Sequence, residues 1–176
     1  TYADDFIPSI QVNWDETDMV TLIKQNSMDP QWKFNIRTLA RRVPGISQGH
    51  LITVGARSNT GKTSFHASLV MGDGGFADQG ANVAVLCNEE SVQRVRMRYI
   101  NAATGRTGKE ILDDVDSNLM VYREKSKNVK HTDATAKTMD WVEAVCKRYK
   151  PDVLILDMGD KFAKTSTTIS THELLK

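Results

Sequence analysis

The apolar positions fall into short continuous runs separated by stretches with helical spacing. Leu51-Ile52-Thr53-Val54, Val83 to Cys87, Leu119-Met120-Val121-Tyr122 and Val153 to Leu156 read as compact strands, the last of them the most apolar. Helical patterns lie between them. One runs from about Lys62 to Met71 and is broken by Gly72-Asp73-Gly74-Gly75; a longer one spans about Ser91 to Ala103; a short one covers Lys109 to Asp114. A fourth, from Ala134 to Tyr149, is carried by Met139, Val142, Val145 and Cys146 and ended by Pro151. Asn35 to Arg42 predicts a further helix closed by Val43-Pro44-Gly45, and the polar stretch Arg123 to Asp133 is expected to be mobile. Strands alternating with helices predict an α/β fold, a mostly parallel sheet flanked by helices, with strands buried on both faces.

Thr1 to Asn13 has no clear period and reads as an extended arm. Asp15, Glu16 and Thr17 open a short helical pattern whose apolar positions are Met19, Val20, Leu22 and Ile23. Acidic residues suit a helix N-terminus, and so short a helix needs a surface to pack on, its own domain or a neighbouring subunit. The chain therefore divides into an arm and linker helix, residues 1–30, and a core, residues 31–176. It begins at Thr1 and stops at Lys176 within a helical pattern, so it is expected to be cut from something longer.

Bulk properties narrow the field only slightly. The 176 residues suffice for one domain with a real core. A net charge of +1 gives no global field toward nucleic acid or membrane. Cys87 and Cys146 have no metal or disulfide spacing, which fits a reducing cytoplasm. No apolar run is long enough to span a bilayer.

The chemistry concentrates in Ala56-Arg57-Ser58-Asn59-Thr60-Gly61-Lys62-Thr63, which follows one apolar run and opens a helix. Phosphate needs several N–H donors converging on one point, and a tight loop ahead of a helix N-terminus supplies them. Gly61 lets the backbone approach, Lys62 places an ammonium on the β- and γ-phosphates, and the Thr63 hydroxyl binds magnesium, with Ser64 next in line. The usual first glycine is Ala56 here, with Gly55 one place early. The reading is a P-loop holding ATP and Mg2+; the bland alternative is a chance glycine-lysine-threonine turn.

Asp157 follows the four apolar residues Val153 to Leu156, the pattern of an acid that holds magnesium at a strand edge. Asp160, just beyond, reads as a loop acid. Glu89 and Glu90 end the second strand; a hydrolase needs a carboxylate to activate water. Glu89 is the candidate base, and Glu90 is expected to cap the next helix. Arg94 and Arg98 share a helix face that reads as solvated, and His66 reads as structural.

Pro44 to Val54 followed by Ala56 to Thr63 resembles the core of replicative ring helicases of the DnaB type, and Val83 to Ser91 is similar to the phage primase–helicases of that superfamily. The resemblance covers roughly Arg37 to Lys176. It implies a RecA-like P-loop NTPase fold, Glu89 as catalytic glutamate, and an ATP site between subunits of a homo-oligomeric ring, expected to be a hexamer. It implies that the segment Asp15 to Gln25 docks on the neighbouring subunit. It also implies a channel loop at Asp160 to Ser170, in which Lys161 and Lys164 would touch single-stranded DNA. The sensor strand and arginine finger of that family would lie beyond Lys176. The expected function is the ATP-hydrolysing motor of a replicative DNA helicase, cytoplasmic, in a bacterial cell or phage-encoded. A RecA-type ATPase serving recombination, loading or signalling is the alternative, and a P-loop small-molecule kinase a weaker one.

Overall fold

A computed structural model describes residues 29–57, 59–159 and 162. The elements run in the order β1 (Trp32–Lys33), α1 (Arg37–Ala40), β2 (Gly45–Ile46), α2 (Lys62–Met71), β3 (Val83–Cys87), α3 (Val92–Thr104), α4 (Gly108–Asp113), α5 (Val115–Lys125), β4 (Val129–Asp133), α6 (Met139–Tyr149) and β5 (Val153–Asp157). The expected arm and linker helix fall outside the described residues apart from Asp29 and Pro30.

β3 is the centre of a three-stranded parallel sheet of order β4-β3-β5. Its register pairs Val83 with both Val129 and Val153, and Cys87 with both Asp133 and Asp157. All five β3 residues are buried, as a strand flanked on both edges and covered on both faces requires. Val83, Val85 and Cys87 face one core with Ala67, Val70 and Met71 of α2 and Val95 and Tyr99 of α3. Leu86 faces a second core with Val142 and Val145 of α6, Ala134 and Phe162. The alternation along one strand thus builds three layers, helix on sheet on helix: an α/β P-loop fold of the RecA-like kind.

Three sequence expectations change. Leu51 to Val54 forms no strand: Leu51 is 92% exposed and Ile52 and Val54 are about half exposed. Apolar content alone does not make a strand; a hydrogen-bonding neighbour does, and none of the described residues ladders with this segment. Leu119 to Tyr122 lies inside α5, where Asp114 caps the helix by accepting from Ser117 N. The third strand is instead β4, drawn from the polar stretch that looked mobile. At an edge, Val129 is buried while Lys130 and Asp133 face water. A small antiparallel pair, β1 with β2, precedes the phosphate loop. There Gly45 lies so close to the Trp32 carbonyl that no side chain fits.

Candidate functional site

α2 begins directly after Gly61, whose φ of 96° places it in the left-handed region. L-residues are disfavoured there by roughly 1–2 kcal/mol, and no neighbouring atom lies near its missing Cβ. The glycine is therefore needed for backbone conformation, not for space. Asn59, with φ of 60°, takes the same region, and the Thr60 hydroxyl donates to the Arg57 carbonyl at 2.6 Å. Together these turns lead the loop into the first amides of α2. No side chain caps them, which leaves donors and the positive helix end for an anion. Ala56 is not among the residues of positive φ, so alanine at the usual first glycine position carries no backbone strain. Ser58 lies outside the described residues.

Asp157 ends β5 and is only 5% exposed; its Oδ2 is buried without a partner. Burial pushes its carboxyl above the usual range, with the charges of Glu89 and Glu90 adding to the effect and Lys62 and Arg98 opposing it. These five groups therefore share one electrostatic neighbourhood, drawn from α2, the ends of β3 and β5, and α3. Thr63, 9% exposed, stands in the first turn of α2, next to Lys62. An unsatisfied carboxylate oxygen and a buried hydroxyl are the hard oxygen donors that suit magnesium. Among the described residues no group of three or more His, Cys, Asp or Glu side chains is arranged to hold a metal ion by itself. An ion here would thus draw on phosphate oxygens too.

The register explains the convergence. Cys87 lies between Asp133 and Asp157, and two residues past it the chain carries Glu89. Burial, then the charges of Asp157, Asp133 and Glu90, push the Cys87 thiol up to about 12. It is a core group, not a nucleophile.

The two glutamates differ. Glu90 pairs with Arg98 through two hydrogen bonds, one from Nη2 to Oε1 at 3.0 Å, and this holds its carboxyl below the usual range. Glu90 does not cap α3: Ser91 does, accepting from Arg94 N. Arg98 consequently leaves the solvated face on which it was expected, and Arg96 donates to the Tyr122 hydroxyl at 3.1 Å. Glu89 is exposed at the sheet edge.

Several contacts were not visible in the sequence. Lys62 Nζ reaches Met158 Sδ at 3.2 Å. Met158 itself sits at φ 62°, turning the chain sharply after Asp157, and its carbonyl accepts from Asn88 Nδ2 at 2.9 Å. Only the glycine that follows, Gly159, hinted at a turn there. His66 lies behind Asp157, its Nδ1 2.9 Å from the Tyr99 hydroxyl. Ser64 is exposed and lines, with Ser68, Arg98, Asn101, Arg106 and Thr107, a cleft of about 480 Å³ along α2 and α3. Of the described residues expected to bind nucleotide, Ser64 lines that cleft and those from Ala56 to Thr63 do not. Lys161 and Lys164 lie outside the described residues, as does Asp160. Among the described residues no helix is long and apolar enough to cross a membrane.

The chain shows no match among curated proteins. A family model described as an AAA domain matches residues 24–170, a span that holds the phosphate loop, Glu89 and Asp157. A match over most of the chain, on a fold that gathers these groups at one sheet edge, makes the chain a member of the AAA domain family, a P-loop ATPase domain.

Proposed function

We propose that the chain is the ATP-hydrolysing motor domain of a replicative DNA helicase that translocates on single-stranded DNA as a homo-oligomeric ring. The observation that carries the ATPase part is the convergence of the α2 N-terminus, Asp157 and Glu89 at the C-terminal edge of one parallel sheet. The helicase part rests on the resemblance of residues 37–176 to DnaB-type cores; the hexameric ring and the DNA contacts of Lys161 and Lys164 rest on it too.

The roles follow from chemistry. The amides around Gly61, Lys62 and Thr63 receive phosphate oxygens, and the Lys62 ammonium, now against a thioether, moves to the β- and γ-phosphates. A thioether is a weak acceptor, so a phosphate displaces it readily. Thr63 and Asp157 would hold the magnesium ion, which when bound draws charge from the phosphates being separated. Glu89 orients water and accepts its proton. Glu90, tied to Arg98, is kept from competing for that role.

The test is ATP hydrolysis by the intact parent protein, with and without single-stranded DNA, beside Lys62→Ala and Glu89→Gln. Stimulation by DNA that both variants abolish supports the proposal. Hydrolysis indifferent to DNA removes the helicase reading and leaves an ATPase of the same fold acting in recombination, loading or signalling.

A further inference from the structure

We propose that His66 is a positioning residue for Asp157. The Tyr99 hydroxyl holds it as the Nε2–H tautomer, so that it donates toward Oδ1 and leaves Oδ2 for magnesium. The inference rests on the ATPase reading for the identity of the ion, and on geometry for everything else.

His66 stands three residues after Thr63 on α2, so the two side chains share a helix face. Its Nε2 is 4.0 Å from Asp157 Oδ1. Both Nε2 and Asp157 Oδ2 are buried without a hydrogen-bond partner. The other ring nitrogen is committed to the Tyr99 hydroxyl at 2.9 Å. Tyr99 is wholly buried, and His131 stands edge-on to its ring, with centroids 4.3 Å apart. Among the described residues His66 Nδ1 is the hydrogen-bond partner of this hydroxyl.

Two tautomers are open to a neutral imidazole. With the proton on Nδ1, the ring donates to Tyr99 and turns a bare nitrogen lone pair toward an oxygen of the Asp157 carboxylate. With the proton on Nε2, the phenol donates to Nδ1 and an N–H faces the carboxylate. The first opposes two electron-rich atoms in a poorly screened interior; the second aligns a donor with an acceptor. At 4.0 Å the second contact is a charge–dipole attraction, and a small turn of the carboxylate closes it to a hydrogen bond. The imidazole is largely buried, its side chain 14% exposed, and burial favours the uncharged ring. An uncharged donor orients the carboxylate without neutralising it, so its charge stays available to a cation.

Two measurements on the full chain test this. Long-range 1H–15N spectra of the ligand-free protein should show His66 as the Nε2–H tautomer, with the preference weakened in Tyr99→Phe. A wild-type Nδ1–H tautomer overturns the proposal without any variant having to fold. ATP affinity is then measured with magnesium and with a chelator. His66→Gln keeps an N–H within reach and should retain the magnesium-dependent gain to within about threefold. His66→Ala should lose about tenfold or more of it, with chelated ATP binding unchanged. Equal losses in Gln and Ala reduce His66 to packing and overturn the proposal. A wild-type chain with no magnesium-dependent ATP binding sinks the ATPase reading itself, whatever the tautomer, and the role of His66 toward the ion with it.

Discussion

Lys62 Nζ lies 3.2 Å from Met158 Sδ, across 96 positions of sequence, so the ammonium that follows the phosphate loop is parked on the turn that ends β5. The contact ties the anion-binding end of α2 to the residue after Asp157. If the thioether only parks the lysine, the two partners differ sharply in worth. Lys62→Ala should weaken ATP binding about 10- to 100-fold, the scale of charge-assisted hydrogen bonds lost to phosphate. Met158→Leu, which keeps volume, should leave affinity within about threefold. Calorimetric titration decides; equal losses would make the contact structural.

Glu89 and Glu90 are adjacent in sequence but carry different proposed roles. Glu89→Gln should keep nucleotide binding and lower hydrolysis by about 10²- to 10⁴-fold, as expected when a general base is removed. Glu90→Gln breaks the half-exposed pair with Arg98 and should cost stability on the order of 1 kcal/mol with only a minor effect on turnover. Single-turnover hydrolysis beside thermal melts separates the two outcomes.

Asp157 is a carboxylate that the fold holds at a cost, because burial and two neighbouring glutamates disfavour its charged form. A raised acid pKa means that the folded chain binds the proton more tightly than the unfolded chain does. The penalty therefore grows as pH rises through the carboxylate range and is full at neutrality. Asp157→Asn should accordingly raise the melting temperature of the ligand-free chain by a few degrees near pH 7, a gain that fades in acid. The same variant should lose the stabilisation that magnesium ATP gives the wild type. A drop in ligand-free stability would mean that Asp157 carries a structural hydrogen bond.

His66 and His131 act in the opposite sense. Both are held neutral by burial with pKa values lowered to about 4, against roughly 6.5 in an unfolded chain. The unfolded chain takes up protons first, so stability is fully present above that value and is lost as pH falls toward 4. The loss is bounded by on the order of 3 kcal/mol per histidine. Urea unfolding between about pH 7 and pH 5 lies above most carboxylate titrations. In that window the midpoint should fall with pH, and less so in His131→Phe. A flat profile would show that the two rings take up protons in the fold as they do in the unfolded chain.

Legibility in the sequence followed locality. β3, β5, α2, α3 and α6 were readable because each carries its own period or apolar run. β4 was not: Val129 to Asp133 is polar, and it is a strand because β3 offers an edge. Leu119 to Tyr122 misled because four apolar residues look alike in a strand and on a helix, and only Tyr122 is buried there. In the site, the loop from Ala56 to Thr63 and the acids at strand ends announced themselves by spacing. His66, Tyr99 and Met158 did not, since their meaning arises only when α2, α3 and β5 meet. The split between Glu89 and Glu90 likewise needed Arg98, one residue type among several on a helix whose facing partner no spacing reveals.

The exposed run from Leu51 to Gly55 has a kinetic consequence. Its amides are outside every ladder formed by the described residues, so they should exchange with solvent deuterons at close to unstructured rates, while those of β3 exchange only through large-scale opening. The phosphate loop thus follows a lead that no ladder among the described residues restrains. ATP would have to select one conformation of that lead, and the entropy removed is subtracted from its intrinsic affinity. Whatever stiffens that lead, by adding a ladder along residues 51–54, raises nucleotide affinity without touching the nucleotide.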